Sequence, residues 1–381
     1  MHKIKIPKNR IRKLRTLSLG ENEYYLETIN KRGVKEKLVD LCSNDYFGLS
    51  RDNEVIDAAY NISLIEGLGA GSSRFISGSR PVHNMLEKEI AKWLDREKVL
   101  LFPSGFQANI AAVQALANRN TIVITDKLIH NSLITGIKAS GAKLIRFIHN
   151  NLADLENKLS KSTDERKSLL VVIESLYSME GTLAPLNKII QICKKYNAKL
   201  LVDEAHALGI VGKFGKGLSY KLKDPIQIVS GTFGKSFGSG GAFLACNGVT
   251  SERIIQTSSA FRYTTALSPS LAAGALLSLT KIKDNKYWGR DLLDLSKKWK
   301  KEIINASDYL VKGDCHIISI IIGNEDDTIS MQKYLEKNGF LAIAIRPPTV
   351  PLGQSRIRIT IKKTLTDEIL KNFINVLKDY K

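Results

Sequence analysis

Short apolar runs rich in β-branched residues recur through the middle of the chain, and segments with a helical hydrophobic period separate them. The runs predict strands buried on both faces at residues 122–124, 169–173, 199–203 and 226–230. Apolar residues at three- and four-residue spacing predict helices over residues 85–95, 105–117, 151–160 and 187–196. This alternation predicts right-handed βαβ units on a mostly parallel sheet between about residues 98 and 246.

The pattern changes after Pro269. A long helical stretch and a charged segment precede a more mixed region, which predicts a strand over 317–322, a helix near 329–338 and a strand over 355–361. Such a mixture is typical of a smaller α+β domain. We therefore predict three parts: an N-terminal arm and small-domain segment at 1–43, a large α/β domain at 44–282, and a C-terminal α+β domain at 283–381.

Composition excludes several classes of protein. Of 381 residues, 43% are hydrophobic and 25% are charged, which argues against a disordered chain. The apolar runs are far shorter than the ~20 residues of a membrane helix, so no membrane association is expected. The four cysteines are scattered, which predicts neither a disulfide scaffold nor a metal site and favours the reducing cytoplasm. The basic start lacks the apolar core of a signal peptide.

The chain carries 57 Lys and Arg against 38 Asp and Glu, a formal net charge of +19. An excess of this size raises the hypothesis of nucleic-acid binding. However, the lysines are spread along the whole sequence, and aromatic residues do not alternate with them as in single-strand binders. A lysine-rich surface is the simpler interpretation, and attraction of an acidic partner or substrate is the second. Charge alone does not choose between them.

One lysine stands in a setting suited to covalent chemistry. Lys235 lies among small residues in segment 230–236, directly after a predicted strand, where a Schiff-base lysine is often found. An ordinary surface lysine is the alternative. A phosphate-binding P-loop is excluded because Val229 occupies the position of its first glycine.

Asp203 and His206 close the strand predicted before this lysine. The sequence Asp-Glu-Ala-His also resembles a helicase box, but in helicases the Gly-Lys-Ser element comes first, and here it follows. An aspartate at a strand end can hold a protonated pyridine nitrogen, and a histidine three residues later can reach the ring hydroxyl. Strand, Asp-x-x-His, strand and lysine is the order expected of a pyridoxal 5'-phosphate (PLP) enzyme.

Four further positions have a functional and a purely structural interpretation. The turn at 103–109 opens a helix whose N-terminus can bind a phosphate, and Ser104 can cap that helix at the same time. His130 follows a strand and either stacks on a flat ring or caps a helix. Ser178 either donates to a ring oxygen or shapes a turn. Arg358 alternates with isoleucines on a predicted strand, so it either grips a carboxylate or faces solvent from an edge strand.

Together these residues resemble the α-oxoamine synthases, a family of fold-type I PLP enzymes that condense an amino acid with an acyl thioester. The resemblance runs over nearly the whole chain. It is carried by segments 43–49, 69–78, 104–106, 203–206 and 232–235, and by the Arg-x-Arg strand at 356–358. Each motif is modest, but their shared order makes a chance match improbable.

The resemblance implies a role for each matching position. Lys235 would bind the cofactor aldehyde, Asp203 would pair with the pyridine nitrogen, and His130 would stack on the ring. His206 and Ser178 would contact the ring hydroxyl. The phosphate would be held by Gly105, Phe106 and Thr232, with Thr265 contributed by a neighbouring subunit of a homodimer. Asn44 and Arg358 would face the carboxylate of the amino acid.

Within the family, residues 345–351 are most similar to the biotin-pathway branch, which condenses L-alanine with a pimeloyl thioester on coenzyme A or an acidic acyl carrier protein. Arg15, or alternatively Arg12, would contact the acyl substrate together with Thr349. Ala207 and Thr182 depart from the usual family residues and weaken the assignment of one substrate. A sister enzyme that uses glycine or serine is the nearest alternative. An aminotransferase is less compatible, and a nucleic-acid-binding protein is a distant alternative.

Overall fold

The computed structural model describes residues 6–29, 33–163 and 166–380. The chain forms two compact units, which we call the large unit and the small unit. The large unit consists of Leu49–Tyr177 and Leu183–Arg290. The small unit consists of Met1–Gly48, Ser178–Thr182 and Asp291–Lys381. The five residues Ser178–Thr182 therefore belong to the small unit, although residues of the large unit precede and follow them in the sequence.

Regular elements follow one another along the described ranges. The strands are β1 (Ser18–Leu19), β2 (Tyr25–Ile29), β3 (Lys35–Asp40), β4 (Lys98–Phe102), β5 (Thr121–Asp126), β6 (Lys143–Phe147), β7 (Ser168–Glu174), β8 (Lys199–Asp203), β9 (Ile226–Thr232), β10 (Ala242–Cys246), β11 (Leu310–Lys312), β12 (Ile317–Gly323), β13 (Phe340–Leu341), β14 (Ile343–Ile345) and β15 (Ser355–Thr360). The α-helices are α1 (Asn53–Glu66), α2 (Pro81–Leu94), α3 (Gly105–Leu116), α4 (Asn131–Ser140), α5 (Leu152–Ser160), α6 (Leu186–Lys195), α7 (Gly248–Thr257), α8 (Ser259–Arg262), α9 (Pro269–Asp284), α10 (Trp288–Ala306), α11 (Glu325–Lys337) and α12 (Asp367–Lys378).

The large unit is built on a seven-stranded sheet in the order β4-β10-β9-β8-β7-β5-β6. Neighbouring strands from β9 through to β6 are parallel, and β10 runs antiparallel to both β4 and β9. The predicted mostly parallel sheet is confirmed. After an exposed first residue, the central strands β7 and β8 are buried because helices pack against the sheet, which explains their continuous apolar runs.

Helices begin where several of these strands end. Helix α3 follows β4, and the Ser104 side chain accepts a hydrogen bond from the backbone N–H of Gln107 to cap it. Helix α4 follows β5 and is capped in the same way by the ring of His130. Helix N-termini carry partial positive charge and N–H groups without helical partners. The carboxyl edge of the sheet is therefore polar even though the strands are apolar.

The small unit contains two four-stranded sheets, in the orders β1-β2-β3-β13 and β11-β12-β15-β14. Strand β15 lies inside its sheet, between β12 and β14, and all six of its residues are buried. Arg358 therefore does not face solvent from an edge strand. That alternative, which the sequence left open, is wrong.

Two helices differ from the predictions. The pattern predicts no helix directly after the charged segment at 283–290, whereas α10 begins at its end, with Leu292, Trp299 and Ile303 buried on one face and many other positions charged. Helix α11 begins at Glu325, earlier than residue 329, because Asn324 accepts the N–H groups of Asp326 and Asp327. Across the described ranges, no helix is both long and apolar enough to cross a membrane.

Candidate active site at the carboxyl ends of the parallel strands

A cavity of about 170 Å³ opens in the large unit where β7, β8 and β9 end. Seven of the residues predicted for the cofactor site line it: Gly105, Phe106, His130, Asp203, His206, Thr232 and Lys235. Three residues that the sequence analysis did not single out complete the lining: Asn109, Glu174 and Ala205. The structure thus brings together side chains that come from β7, α3, β8, β9 and the loops after the strands.

Asp203 is the last residue of β8 and is buried. Its Oδ2 accepts a hydrogen bond of 2.7 Å from Nδ2 of Asn109, and its Oδ1 accepts one of 2.9 Å from the backbone N–H of Ala205. These two donors fix the orientation of the carboxylate. The cavity therefore contains a held negative charge.

Neighbouring residues of the same motif have different roles. His206 is buried and lines the cavity with Asp203, whereas the carboxylate of Glu204 bonds within the protein. Glu204 accepts hydrogen bonds from Ser175 Oγ at 2.5 Å and from the backbone N–H of Ser219 at 2.7 Å. Burial raises the pKa of Glu204, and these donors oppose the effect. The carboxylate of Glu204 is thus used within the fold, whereas Asp203 and His206 line the cavity.

Lys235 is half-buried in the loop that follows β9 and lines the same cavity. The residues around it are anchored. Phe233 and Phe237 are fully buried with ring centroids 5.4 Å apart, and Ser236 Oγ donates to the Leu208 carbonyl at 2.6 Å. Because its neighbours are fixed, the Lys235 amine is presented from a rigid loop.

The N-terminus of α3 forms another wall of the cavity. Among the described residues, no hydrogen bond uses the backbone N–H of Gly105 or of Phe106. A Cβ added at Gly105 would lie 3.8 Å from Oγ1 of Thr232, so the glycine keeps this corner open. Thr232 Oγ1 itself donates to the Gly241 carbonyl at 3.0 Å and accepts the N–H of Gly234 at 3.2 Å. Two N–H groups at a helix start suit an anion.

His130 caps α4, as one of its two interpretations predicts, and it also lines the cavity, so stacking on a flat ring stays a prediction. Its Nδ1 lies 2.7 Å from Ser132 Oγ. Desolvation lowers the pKa of the imidazole; the charge of Asp203 raises it and that of Lys235 lowers it further. The net direction is downward, which favours the neutral ring.

In the small unit, Arg358 is held by three acceptors. Its Nε donates to the Ser178 carbonyl at 2.8 Å, Nη1 to Thr360 Oγ1 at 2.8 Å, and Nη2 to Asn44 Oδ1 at 3.1 Å. Three residues predicted to bind cofactor or substrate, Asn44, Ser178 and Arg358, are therefore neighbours. A guanidinium has five N–H groups, more than these three bonds use.

The two arginines considered for the acyl substrate also lie in the small unit. Arg12 Nη2 donates to Thr349 Oγ1 at 2.7 Å, which joins two of the predicted residues. Arg15 instead forms an ion pair of 2.7 Å with Glu336. Contact with Thr349 is thus made by the arginine that was the second choice.

Thr265 is exposed on the large unit and is not among the residues that line the cavity. Its surroundings are ordered by contacts with the loop after α1. The backbone N–H of Ala266 donates to the Ser72 carbonyl at 3.0 Å, and the ring of Phe75 packs against Phe261. An exposed threonine on a fixed loop is available to a second subunit.

Sequence reasoning missed Asn109 and Glu174. Asn109 is one turn into α3, with four residues between it and the cap Ser104, and a polar residue among alanines was the available signal. Glu174 ends a strand exactly in register with Asp203, since the two are paired across β7 and β8. Among the described residues no group of His, Cys, Asp and Glu has the geometry of a metal site.

Comparisons with known proteins give this site a family. Residues 36–377 match the model of the family described as aminotransferase class I and II. The 8-amino-7-oxononanoate synthase of Hahella chejuensis is 37% identical over 344 residues, which cover 89% of this chain and 86% of the relative.

Two solved structures share the fold. Serine palmitoyltransferase from S. paucimobilis with bound PLP-myriocin aldimine has a TM-score of 0.89 and 25% identity, covering 95% of this chain and 91% of that one. The 8-amino-7-oxononanoate synthase of Francisella tularensis has a TM-score of 0.77 and 26% identity, covering 90% and 97%. The chain therefore belongs to the aminotransferase class I and II family and, within it, to the α-oxoamine synthases.

Proposed function

We propose that this protein condenses L-alanine with a pimeloyl thioester, releasing carbon dioxide and the thiol carrier and giving 8-amino-7-oxononanoate. The observation that carries the proposal is the joint presence of Lys235, Asp203 and His206 in one cavity of an α-oxoamine synthase. The substrates follow from the relatives named 8-amino-7-oxononanoate synthase. The product would serve biotin biosynthesis.

PLP is the cofactor, and the cavity has the donor set that it requires. PLP supplies an aldehyde that combines with amines and a protonated ring that withdraws electrons from them. The amine of Lys235 meets the first need, and the oriented carboxylate of Asp203 meets the second. The unpaired N–H groups of Gly105 and Phe106, together with Thr232, would hold the phosphate. His206 would bind the ring hydroxyl, and Ser178 is proposed as its second partner.

Proton movement in the reaction is assigned to Lys235. Its amine would remove the proton from Cα of the bound amino acid and later return a proton to the product carbon. The anchored loop around it limits the positions that this amine can reach, which favours one proton over others.

Recognition of the substrates is assigned to the small unit. Arg358 would bind the amino-acid carboxylate, and its bonds to Ser178, Thr360 and Asn44 hold its plane fixed. Arg12 and Thr349 would contact the acyl substrate, and Arg15 stays the alternative. Exchange of Arg12 and of Arg15 for Ala separates them, since only the contacting residue should change KM for the thioester.

We also propose a homodimer. Helix α1 and the loop after it expose a row of large apolar side chains: Tyr60, Leu64, Ile65, Leu68 and Ile76. Patches of this kind on a folded protein mark interaction surfaces. The patch adjoins the segment that carries Thr265, because Ser268 Oγ donates to the Leu68 carbonyl. Sedimentation should give twice the mass of the 42.3 kDa chain; a monomer at micromolar concentration would contradict the proposal.

The test of the function is a grid of amino acids and acyl thioesters, measured by carbon dioxide release and product mass. L-alanine with pimeloyl thioester should give the highest kcat/KM. The similarity to serine palmitoyltransferase makes serine with a long-chain acyl thioester the second candidate. A maximum with glycine or serine would keep the family and overturn the substrate.

The carrier of the acyl group can be identified through charge. With a net charge of +19, the protein should attract an acidic carrier protein over long distances. The rate with carrier-bound substrate should then fall with ionic strength much more than the rate with a coenzyme A thioester. If the two rates depend equally on salt, the positive charge does not serve carrier recognition and reflects only a lysine-rich composition.

A further inference from the structure

Buried polar side chains on four different elements form a network at the wall of the cavity. Asn109 is on α3, Ser132 on α4, Asp203 on β8 and Ser230 on β9, and each is at most 5% exposed. Buried polar groups at this depth need every hydrogen bond satisfied. The donors and acceptors can therefore be assigned one after another.

The orientation of the Asn109 amide is fixed by Asp203. A carboxylate only accepts hydrogen bonds, so the Asn109 atom 2.7 Å from Asp203 Oδ2 is the amide nitrogen. The opposite atom, Oδ1, then accepts the hydroxyl of Ser230 at 2.6 Å. Reversal of this amide would place two acceptors against each other.

The amide in turn fixes the hydroxyl of Ser132. The second N–H of Asn109 is donated to Ser132 Oγ at 3.0 Å. The single proton of that hydroxyl is directed at Nδ1 of His130, 2.7 Å away. The backbone N–H of Ser132 approaches the same Nδ1 at 3.3 Å. His130 Nδ1 therefore faces two donors and acts as an acceptor.

We propose that Asn109 and Ser132 are positioning residues that hold His130 as a neutral imidazole with its proton on Nε2. A proton on Nδ1 would point at the backbone N–H of Ser132, and it would deprive the Ser132 hydroxyl proton of its acceptor. The downward direction of the His130 pKa agrees with this assignment, and the charged groups that act on it are Asp203 and Lys235.

The consequence concerns what His130 can do. Its Nε2–H is a hydrogen-bond donor, and its Nδ1 is not available as a base. The same amide that sets this tautomer also orients the Asp203 carboxylate, so the two groups are adjusted together. A role of His130 toward cofactor or substrate rests on the proposed function, whereas the assignment of its tautomer rests only on the hydrogen bonds.

The test is NMR of the full-length protein labelled with ¹⁵N-histidine, as purified and again after removal of the cofactor. The chain has six histidines, and a His130→Gln variant assigns the signals of His130. In the wild-type protein near neutral pH, Nε2 should carry the proton and Nδ1 should give the signal of an unprotonated nitrogen.

Two variants probe the network at different distances. Ser132→Ala should shift the Nδ1 signal toward a mixture of tautomers and raise the pKa of His130. Asn109→Ala removes a side chain that bonds Ser132 and not the histidine, so it should shift the Nδ1 signal of His130 in the same direction but less than Ser132→Ala does. Ser132→Thr keeps the hydroxyl and should give the wild-type signal. Thr135→Ala is the matched control, because within the described part of the chain the Thr135 hydroxyl, on the same helix, bonds only the Asn131 carbonyl.

A proton on His130 Nδ1 in the wild-type protein would overturn the proposal. So would unchanged His130 signals in both Ser132→Ala and Asn109→Ala, provided that thermal unfolding shows that the variants are folded. Failure of the proposed function has a different signature: no condensation activity with a wild-type tautomer. The two failures are therefore distinguishable.

Discussion

Two cavities lie at opposite ends of the same strands in the large unit. The one at the carboxyl ends has a volume of about 170 Å³, whereas one at the amino ends of β7, β8 and β9 has about 960 Å³. The larger cavity is lined by solvated lysines, among them Lys167 and Lys199, and by the end of α6. The smaller one has a buried carboxylate, a buried imidazole and a helix start.

Cavity volume therefore does not locate the chemistry in this α/β unit. Parallel strands all point one way, so the helix starts that follow them gather at one edge of the sheet. Free N–H groups and partial positive charge gather with them. The exposed Lys167 and Lys199 of the larger cavity lack such an environment and keep their ordinary solvation.

The largest effect should come from Lys235→Ala at the smaller cavity. Because the amine is proposed both to bind the cofactor and to move the Cα proton, kcat/KM should fall on the order of 10⁴-fold. The protein should lose the absorption band of covalently bound PLP and keep its unfolding temperature. A retained band with normal turnover would show that the smaller cavity is not where the reaction takes place.

Asp203→Asn should have the next largest effect. The substitution preserves size but removes the charge that Asn109 and the Ala205 N–H orient. Loss of such a preorganised partner reduces kcat by about 10²- to 10³-fold. Asp224→Asn is the matched control, since Asp224 lines the larger cavity and is exposed. Equal losses in the two variants would contradict the distinction between the cavities.

The fold and the smaller cavity were largely predictable from sequence, for physical reasons that differ. Strand β8 was predicted with its observed ends because it is a continuous apolar run ended by a charge. Asp203, His206 and Lys235 follow buried strands, so the direction of the chain alone places them at one edge. The prediction needed no knowledge of packing.

Other features depend on tertiary structure and left a weak signal. Helix α10 carries many charged residues between its apolar positions, and Trp299 and Ser296 meet their partners, Phe373 and the Cys315 carbonyl, only in the folded chain. Asn109 resembles any polar residue of a helix until Asp203 approaches it from 94 positions along the chain. Which of Arg12 and Arg15 reaches Thr349 likewise depends on the path of the arm, which no periodic pattern describes.

A loss of activity at low pH can arise from the smaller cavity or from unfolding of the protein, and the pH dependence of stability separates the two causes. His83 on α2 is fully buried, its Nδ1 accepts the N–H of Arg80 and its Nε2 faces the Leu267 carbonyl at 2.7 Å. Burial lowers the pKa of His83 from 6.5 to about 4. Between these values the unfolded chain binds a proton that the folded chain does not, so stability falls as pH falls.

The shift corresponds to about 3 kcal/mol, fully present above pH 6.5 and lost as the pH approaches 4. Urea unfolding of wild-type protein and of His83→Gln should therefore show a flatter pH dependence in the variant over this range. Parallel curves would assign the acid loss to groups other than His83. If activity falls at low pH while the protein stays folded, the loss arises from titration in the smaller cavity and not from unfolding.

The smallest effect should come from Lys199→Ala, the counterpart of Lys235→Ala at the other end of the sheet. Lys199 is the exposed first residue of β8, and its side chain lines the larger cavity. Truncation of a solvated lysine changes the free energy of unfolding by no more than about 0.5 kcal/mol, and kcat/KM should change less than twofold because no polarised backbone faces it. Steady-state kinetics with the same two substrates measure this directly. A tenfold loss in folded protein would mean that the larger cavity takes part in the reaction, and the direction of the strands would then no longer explain where the chemistry lies.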